Sequence, residues 1–434
     1  MRPAAYLRSA VLLFSFFMRV PLRLLPILLL PALLVACSES SQKKPAVVAA
    51  PPSQSPPAAH PPVPTPPQPA NVAAAPPAAP RRLLPLTDTA AVQDIAAYLG
   101  GLPPSRRGRL DSLAAQPAWR AFAADANKSW QKYRLTHTAP MTKWAAAELD
   151  SVRRVSPTIF YPFSGPDFLN VFTLFPTANT YVLVGLEPVG SIPDAATLRN
   201  PTLYKSIKTS LWSVLNFSFF RTNDMAVDLK SVQLDGTLPL LMLFAARTGN
   251  QLTAIRPVQL DPGGHLQPAD TTHRLRPQNV PGAEIKIRAA DGTEKTIYYF
   301  SADISDGKLA TNPALLSYVR TLGPLTTYVK SATYLMHKTY FSKVRNLILT
   351  QSQYILQDDS GIAMKYFPKD WEFTYYGTYK RPINLFAKHY QPELTAAYTN
   401  KAQPPRRLPF GTGYNWRQTD SNLLLARRKP GPTS

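Results

Sequence analysis

Cysteine is almost missing from this chain: Cys37 is the only one in 434 residues. One thiol excludes an internal disulfide and a structural zinc held by thiolates, so the apolar core alone must stabilise the folded part. Histidine is also scarce, at six residues, and no two of them stand in a His-x-x-x-His or zincin spacing. The Gly-x-Ser-x-Gly elbow of nucleophilic hydrolases is absent. No repeat at a solenoid or propeller period occurs. Acidic residues are few, 26 against 48 Lys and Arg.

The first 36 residues hold Arg2, Arg8, Arg19 and Arg23 and no acid, and a leucine-rich stretch runs from Leu24 to Leu34. A positive start, a short apolar core and a small-residue end form the pattern of an export signal. Pro26 and Pro31 interrupt the core, which falls short of the ~20 apolar residues of a membrane span. Translation starting at Met18 would leave Arg19 and Arg23 as a compact basic start. An uncleaved signal anchor is the competing reading.

Leu34-Val35-Ala36-Cys37 resembles the lipobox of bacterial lipoproteins, in which the cysteine is acylated and becomes the mature N-terminus. The resemblance implies lipidation of Cys37, by a diacylglyceryl group on sulfur and often a third chain on nitrogen. Several chains hold a protein stably where one holds it marginally. Ser38 resembles the residue of lipoproteins sent on to an outer membrane, with the body in the periplasm or at the cell surface.

Residues 37–82 are Pro- and Ala-rich, with repeated Pro-Pro pairs from Pro51 to Pro80. Such a stretch buries too little apolar surface to offset its ordering entropy. It favours extended polyproline II geometry, reaching about 140 Å at full extension. A spacer is expected; a Pro-x-x-Pro recognition segment is the alternative.

Beyond residue 82 aromatics, charges and turn residues mix, over a length that can bury a sizeable core. We expect an α+β fold: a helical segment over 83–156, a main domain over 157–425 mixing helices with antiparallel hairpins, and a basic disordered tail over 426–434. Val92, Ile95, Ala96 and Leu99 share a helix face that Gly100-Gly101 ends. Thr180–Leu186 reads as a buried strand, and Leu252–Leu260 as another. Asn200-Pro201 and Asn312-Pro313 open helices. Ala283–Ala289 and Thr293–Ser301 flank Asp291-Gly292 as a hairpin. Thr326–His337 reads as a helix. Gln353–Gln357 and Ile362–Phe367 flank Asp358-Asp359-Ser360-Gly361 as a second hairpin. The irregular mixture argues against a doubly wound parallel sheet.

Formal charge is +22 for the whole chain, +18 without the first 36 residues and +15 beyond residue 82. That field attracts polyanions. For an exported protein these are phospholipid headgroups, lipopolysaccharide, teichoic acids or acidic glycans; nucleic acid is not expected. A merely solvated cationic face is the plainer reading.

Candidate chemistry is thin. Asp359-Ser360-Gly361 matches the core of aspartic-protease motifs, which pair two carboxylates, but no second copy exists and a turn explains it better. Asp358 and Asp359 repel, although an exposed turn would erase any pKa effect. Ser164 and Asp167 follow an aromatic strand and could belong to a nucleophilic site or to a turn. Glu187 follows the strand at 180–186 and could be an acid, a ligand or a partner for a cation. His265 and His273 share a loop with little claim to a metal. No cofactor is implied. Tyr161–Asp167, Gly185–Pro188, Gln357–Gly361 and Leu408–Tyr414 resemble segments of an uncharacterised family of bacterial secreted proteins, which implies no transferable activity. Two functions remain: an envelope lipoprotein binding an acidic polymer or a protein partner, and a hydrolase of an envelope glycan using paired carboxylates such as Asp167, Glu187 and Asp359.

Overall fold

A computed structural model describes residues 89–105, 110–217, 235–269 and 276–430. Cys37, the expected export signal and spacer, and His273 lie outside the described residues. Among the described residues no helix is long and apolar enough to cross a membrane.

Ten strands form one mixed sheet. In chain order they are β1 (Thr158–Tyr161), β2 (Thr180–Gly185), β3 (Gln251–Leu260), β4 (Leu266–Pro268), β5 (Val280–Arg288), β6 (Glu294–Ser301), β7 (Leu325–Val329), β8 (Ser352–Gln357), β9 (Trp371–Gly377) and β10 (Asn422–Arg428). Across the sheet they run β4-β3-β5-β6-β2-β1-β7-β8-β10-β9. The middle five, β6-β2-β1-β7-β8, are all parallel, and both flanks are antiparallel. Taken in order of appearance, the parallel strands lie third-second-first-fourth-fifth. The winding direction therefore reverses between β1 and β7.

The sheet is covered on both faces, and its strands alternate between two cores as the pleat requires. Ile159, Tyr161, Tyr181, Leu183, Ile297, Tyr299 and Tyr328 pack with the helices Thr89–Leu99, Pro117–Tyr133, Ala139–Glu148, Phe168–Leu174, Thr202–Phe217 and Leu238–Arg247. Phe160, Val182, Val184, Phe300, Val329 and Ile355 pack with Ala314–Thr321 and Ser342–Gln351. Burial on both faces explains why β2 reads as an unbroken apolar run rather than an alternating one. Leu238–Arg247 is buried from Leu238 to Ala246; it is apolar all round because other elements surround it.

The expected helices and sheet are present, and the Asp291-Gly292 hairpin joins β5 to β6 with Gly292 at φ +84°. Three expectations fail. Thr326–His337 is not a helix: the β-branched and aromatic run Thr326-Thr327-Tyr328-Val329 fills β7 between β1 and β8, where burial on both faces suits a strand. Ile362–Phe367 does not return as a hairpin partner of β8, which pairs instead with β7 and β10. The presumed tail begins as strand, because β10 continues to Arg428 against β9. The centre is thus parallel where hairpins were expected.

Candidate functional site

Four of the five parallel strands end on residues that line a single cavity of about 230 Å³: Tyr161 from β1, Gly185 from β2, Ala302 just past β6 and Lys330 just past β7. This is the carboxyl edge of the parallel strands at the reversal of winding, where open α/β sheets bind ligands because the loops splay apart there. Ser164, Asp167 and Glu187 all face this crevice, and Asp303 joins them. Asp359 does not line it.

Asp167 and Lys330 form an ion pair at 2.7 Å with side chains 3% and 1% exposed. Asp167 also accepts from the Tyr161 hydroxyl at 3.0 Å and from the Asn170 amide side chain at 2.9 Å, and its carboxylate caps the helix Phe168–Leu174 through the Asn170 N–H. A buried pair repays its desolvation only with such extra bonds. Asp167 is therefore a neutralised structural acid at the crevice floor. Ser164 is likewise engaged: its hydroxyl accepts from the Val184 N–H at 3.0 Å and donates to the Val184 carbonyl at 3.2 Å. No histidine lines the crevice, and the partners of the Ser164 hydroxyl are backbone groups rather than a side chain that would activate it.

Glu187 differs. Burial pushes its carboxyl above the usual range, opposed only by the backbone N–H groups of Glu187 itself and Leu186. Its carboxylate stands against Gly165 and Gly185; a Cβ on Gly185 would meet Glu187 Oε2 at 2.5 Å and the Tyr299 hydroxyl at 2.7 Å. Only glycine lets the β1 and β2 loops close on this acid.

The far wall is strained. Phe163, Ser331, Thr333 and Tyr334 are non-glycine residues with φ between 52° and 60°, and the first three line the crevice. Such conformations cost about 1–3 kcal/mol each and persist only when their surroundings over-determine them. For the Ser331–Tyr334 loop the Asp-Asp-Ser run after β8 does this. Asp358 accepts the Ser331 N–H at 2.9 Å, Ser360 Oγ accepts the Ala332 N–H at 2.8 Å, and the Tyr334 hydroxyl donates to Asp359. Tyr414 adds a clamp by accepting from the Thr333 N–H and donating to the Ser331 carbonyl. Gly413, at φ +72°, passes directly over the Asp358 carboxylate, leaving no space for a Cβ.

The expected exposed turn at Asp358–Gly361 is instead buried: Asp358, Asp359 and Ser360 are at most 4% exposed. The chain does turn here, with the Gly361 N–H bonded to the Asp358 carbonyl, but the turn faces inward under β10 and the Ser331–Tyr334 loop. The carboxyl interaction dismissed for an exposed turn therefore operates. Burial and the Asp358 charge push Asp359 up to about 7, against the hydrogen bonds from Tyr334 and Asn422. Burial also raises Asp358, opposed chiefly by Ser360, the Ser331 N–H and the Lys330 charge. Asp359 is a clamp on a loop, not a water-activating acid in a cleft. Beside it, burial and then the neighbouring His389 and Lys365 hold His337 down at about 4.

Residue-by-residue reading missed Lys330, Asp303 and the Ser331–Tyr334 loop. A lysine directly after the apolar Tyr328-Val329 was the available signal for the first. His265 is tied to Asp261 at 3.1 Å. Among the described residues no group of three His, Cys, Asp or Glu is placed to hold a metal ion. Four separate segments meet at this end: most of 161–167 and Gly185 to Glu187 line the crevice, while 357–361 and 408–414 brace its wall. Comparison with protein-family models, curated proteins and solved structures finds no match to this chain.

Proposed function

We propose that the protein is a membrane-anchored lipoprotein of the cell envelope, moored through Cys37, whose body is a binding module for a compact ligand. The observation that carries the binding reading is the crevice at the carboxyl edge of the parallel strands. Its walls are built from strained, heavily braced backbone, which is what a preorganised site requires. The lipobox and the Pro-rich stretch after it support the mooring. The +15 charge beyond residue 82 favours contact with anionic envelope surfaces or an acidic protein partner. Inside the crevice the balance is opposite, because Lys330 is matched to Asp167 while Glu187 and Asp303 remain. The surface then suits a polyanion, and the crevice suits a neutral or amine-bearing ligand.

Two experiments test the two halves. Cys37→Ser should move the protein from the membrane to the soluble fraction without changing its melting temperature; continued membrane association refutes the lipid mooring. Ala302→Trp should fill the crevice and abolish the thermal shifts that small organic fragments give the wild type. Equal shifts in both proteins refute the binding site.

Three of the four carboxylate and serine candidates share the crevice, which keeps a hydrolase as the second reading, with the raised Glu187 as its acid. Release of reducing ends from envelope glycans by wild type, lost in Glu187→Gln, would favour it over simple binding.

A further inference from the structure

We propose that the crevice takes an unphosphorylated nucleoside, with its ribose diol on Glu187 and its base between the apolar walls. This rests on the crevice being a binding site and adds the chemical class of its ligand. Four observations lead there.

The strand order is that of a doubly wound sheet, and the cavity lies at its switch point. In such sheets the turn after the first strand carries glycine, and an acid about 20 residues further on, past the second strand, accepts the ribose hydroxyls. Gly165 and Glu187 occupy those two places, and the glycines at 165 and 185 bring the two loops together around the acid.

The acid also lacks what a structural carboxylate would have. Among the described residues no cation and no side-chain donor pairs with the half-buried Glu187 carboxylate, which has only the backbone N–H groups of Leu186 and Glu187 itself. A carboxylate in that condition has acceptor capacity left, and a vicinal diol supplies two O–H donors side by side.

The site is built against phosphate. A dinucleotide places its pyrophosphate at the start of the helix after the first strand, over a glycine-rich turn. Here the turn is Ser164-Gly165-Pro166-Asp167, and the Asp167 carboxylate itself occupies the helix start. Lys330, the nearby cation, is matched to that same carboxylate at 2.7 Å. Asp303 adds a further negative charge to the lining. A ligand phosphate would meet like charge at every turn, which is discrimination by repulsion.

The remaining lining is apolar. Phe163 and Phe341, with ring centroids 5.8 Å apart, join Ile304 and Leu335. A planar base covers such walls; a lone sugar would satisfy Glu187 and leave them wet.

The test is calorimetric titration of the full-length lipoprotein in detergent with adenosine, guanosine, cytidine, uridine, the 2′,3′-dideoxy form of the tightest binder, its 5′-diphosphate, and methyl β-glucopyranoside. At least one nucleoside should bind. Its dideoxy and diphosphate forms should each bind at least tenfold more weakly, and the glucoside should bind more weakly still. Glu187→Gln should weaken the nucleoside at least tenfold and leave the dideoxy form within twofold, with a melting temperature no lower than wild type showing intact folding. The assignment falls if no nucleoside binds, if the diphosphate or the glucoside binds as tightly as the nucleoside, or if Glu187→Gln weakens both forms alike. If nucleosides fail while fragments still shift the wild type and not Ala302→Trp, only the ligand class is wrong; if fragments fail as well, the crevice reading falls with it.

Discussion

Replacing Asp359 with asparagine should expose a pH dependence that the wild-type chain conceals. Folded Asp359 keeps its proton up to about pH 7, whereas an unfolded aspartate releases it near 3.9. Between those values the folded state binds more protons than the unfolded one, so stability is greatest below about pH 4 and falls as pH rises to 7. The difference of about three pKa units corresponds to roughly 4 kcal/mol. His337 works in the opposite direction. Its folded pKa of about 4 lies below the ~6.5 of an unfolded histidine. The unfolded chain then binds the extra proton, and stability rises with pH by about 3 kcal/mol across much the same interval. Glu187 and Asp358, both raised, add to the Asp359 side. The wild-type profile therefore sums opposing contributions, and its shape alone does not isolate Asp359.

The difference between wild type and Asp359→Asn is informative, because His337 and Glu187 are common to both. Asparagine copies the neutral acid: its Oδ1 still accepts from Asn422, and its amide can donate to the Tyr334 oxygen where Tyr334 now donates to Asp359. It also removes the charge that opposes Asp358. Urea unfolding at pH 5 and pH 8 should show the variant gaining about 3 kcal/mol on the wild type over that interval. Stability differences that agree at the two pH values within about 0.5 kcal/mol would refute the claim that Asp359 is buried protonated.

Four further single substitutions and one double variant probe the scaffold. Lys330→Met leaves the Asp167 charge uncompensated and should cost about 3–5 kcal/mol in denaturant unfolding; adding Asp167→Asn should recover part of that, and strictly additive effects would rule out the pair as a coupled unit. Gly413→Ala drives a methyl group into the Asp358 carboxylate at positive φ, so its melting temperature should fall by several degrees, while Gly292→Ala, whose added Cβ meets nothing, should lose only the smaller backbone penalty of about 1 kcal/mol. Phe160→Ala opens a cavity under the central strand and should cost about 3–5 kcal/mol by the same measurement; a loss below 1 kcal/mol would place Phe160 outside a packed core.

Local chemistry was legible where one segment determines it. Asp291-Gly292 specifies its turn, and Asn200-Pro201 starts its helix, with Asn200 Oδ1 accepting from the Thr202 N–H. Thr180–Gly185 is too apolar and β-branched to be anything but a buried strand. What stayed hidden depends on pairing across long separations. β1 bonds to β7 through Ile159↔Thr326 and Phe160↔Thr327, partners that no local pattern links. A strand buried on both faces has no alternation to report, so Thr326–Val329 is easily read into the periodicity of the residues after it. That one misreading conceals the fourth parallel strand, and with it the point where the winding reverses and Lys330 reaches Asp167. The same logic explains Asp358 and Asp359. The four residues from Asp358 do make a turn, as their types demand, yet exposure is decided by β10 and by Gly413, which arrive from more than 50 residues away. Residue type can nominate Ser164, Asp167, Glu187 and Asp359, but only the sheet order decides that three of them share a crevice and the fourth holds its wall.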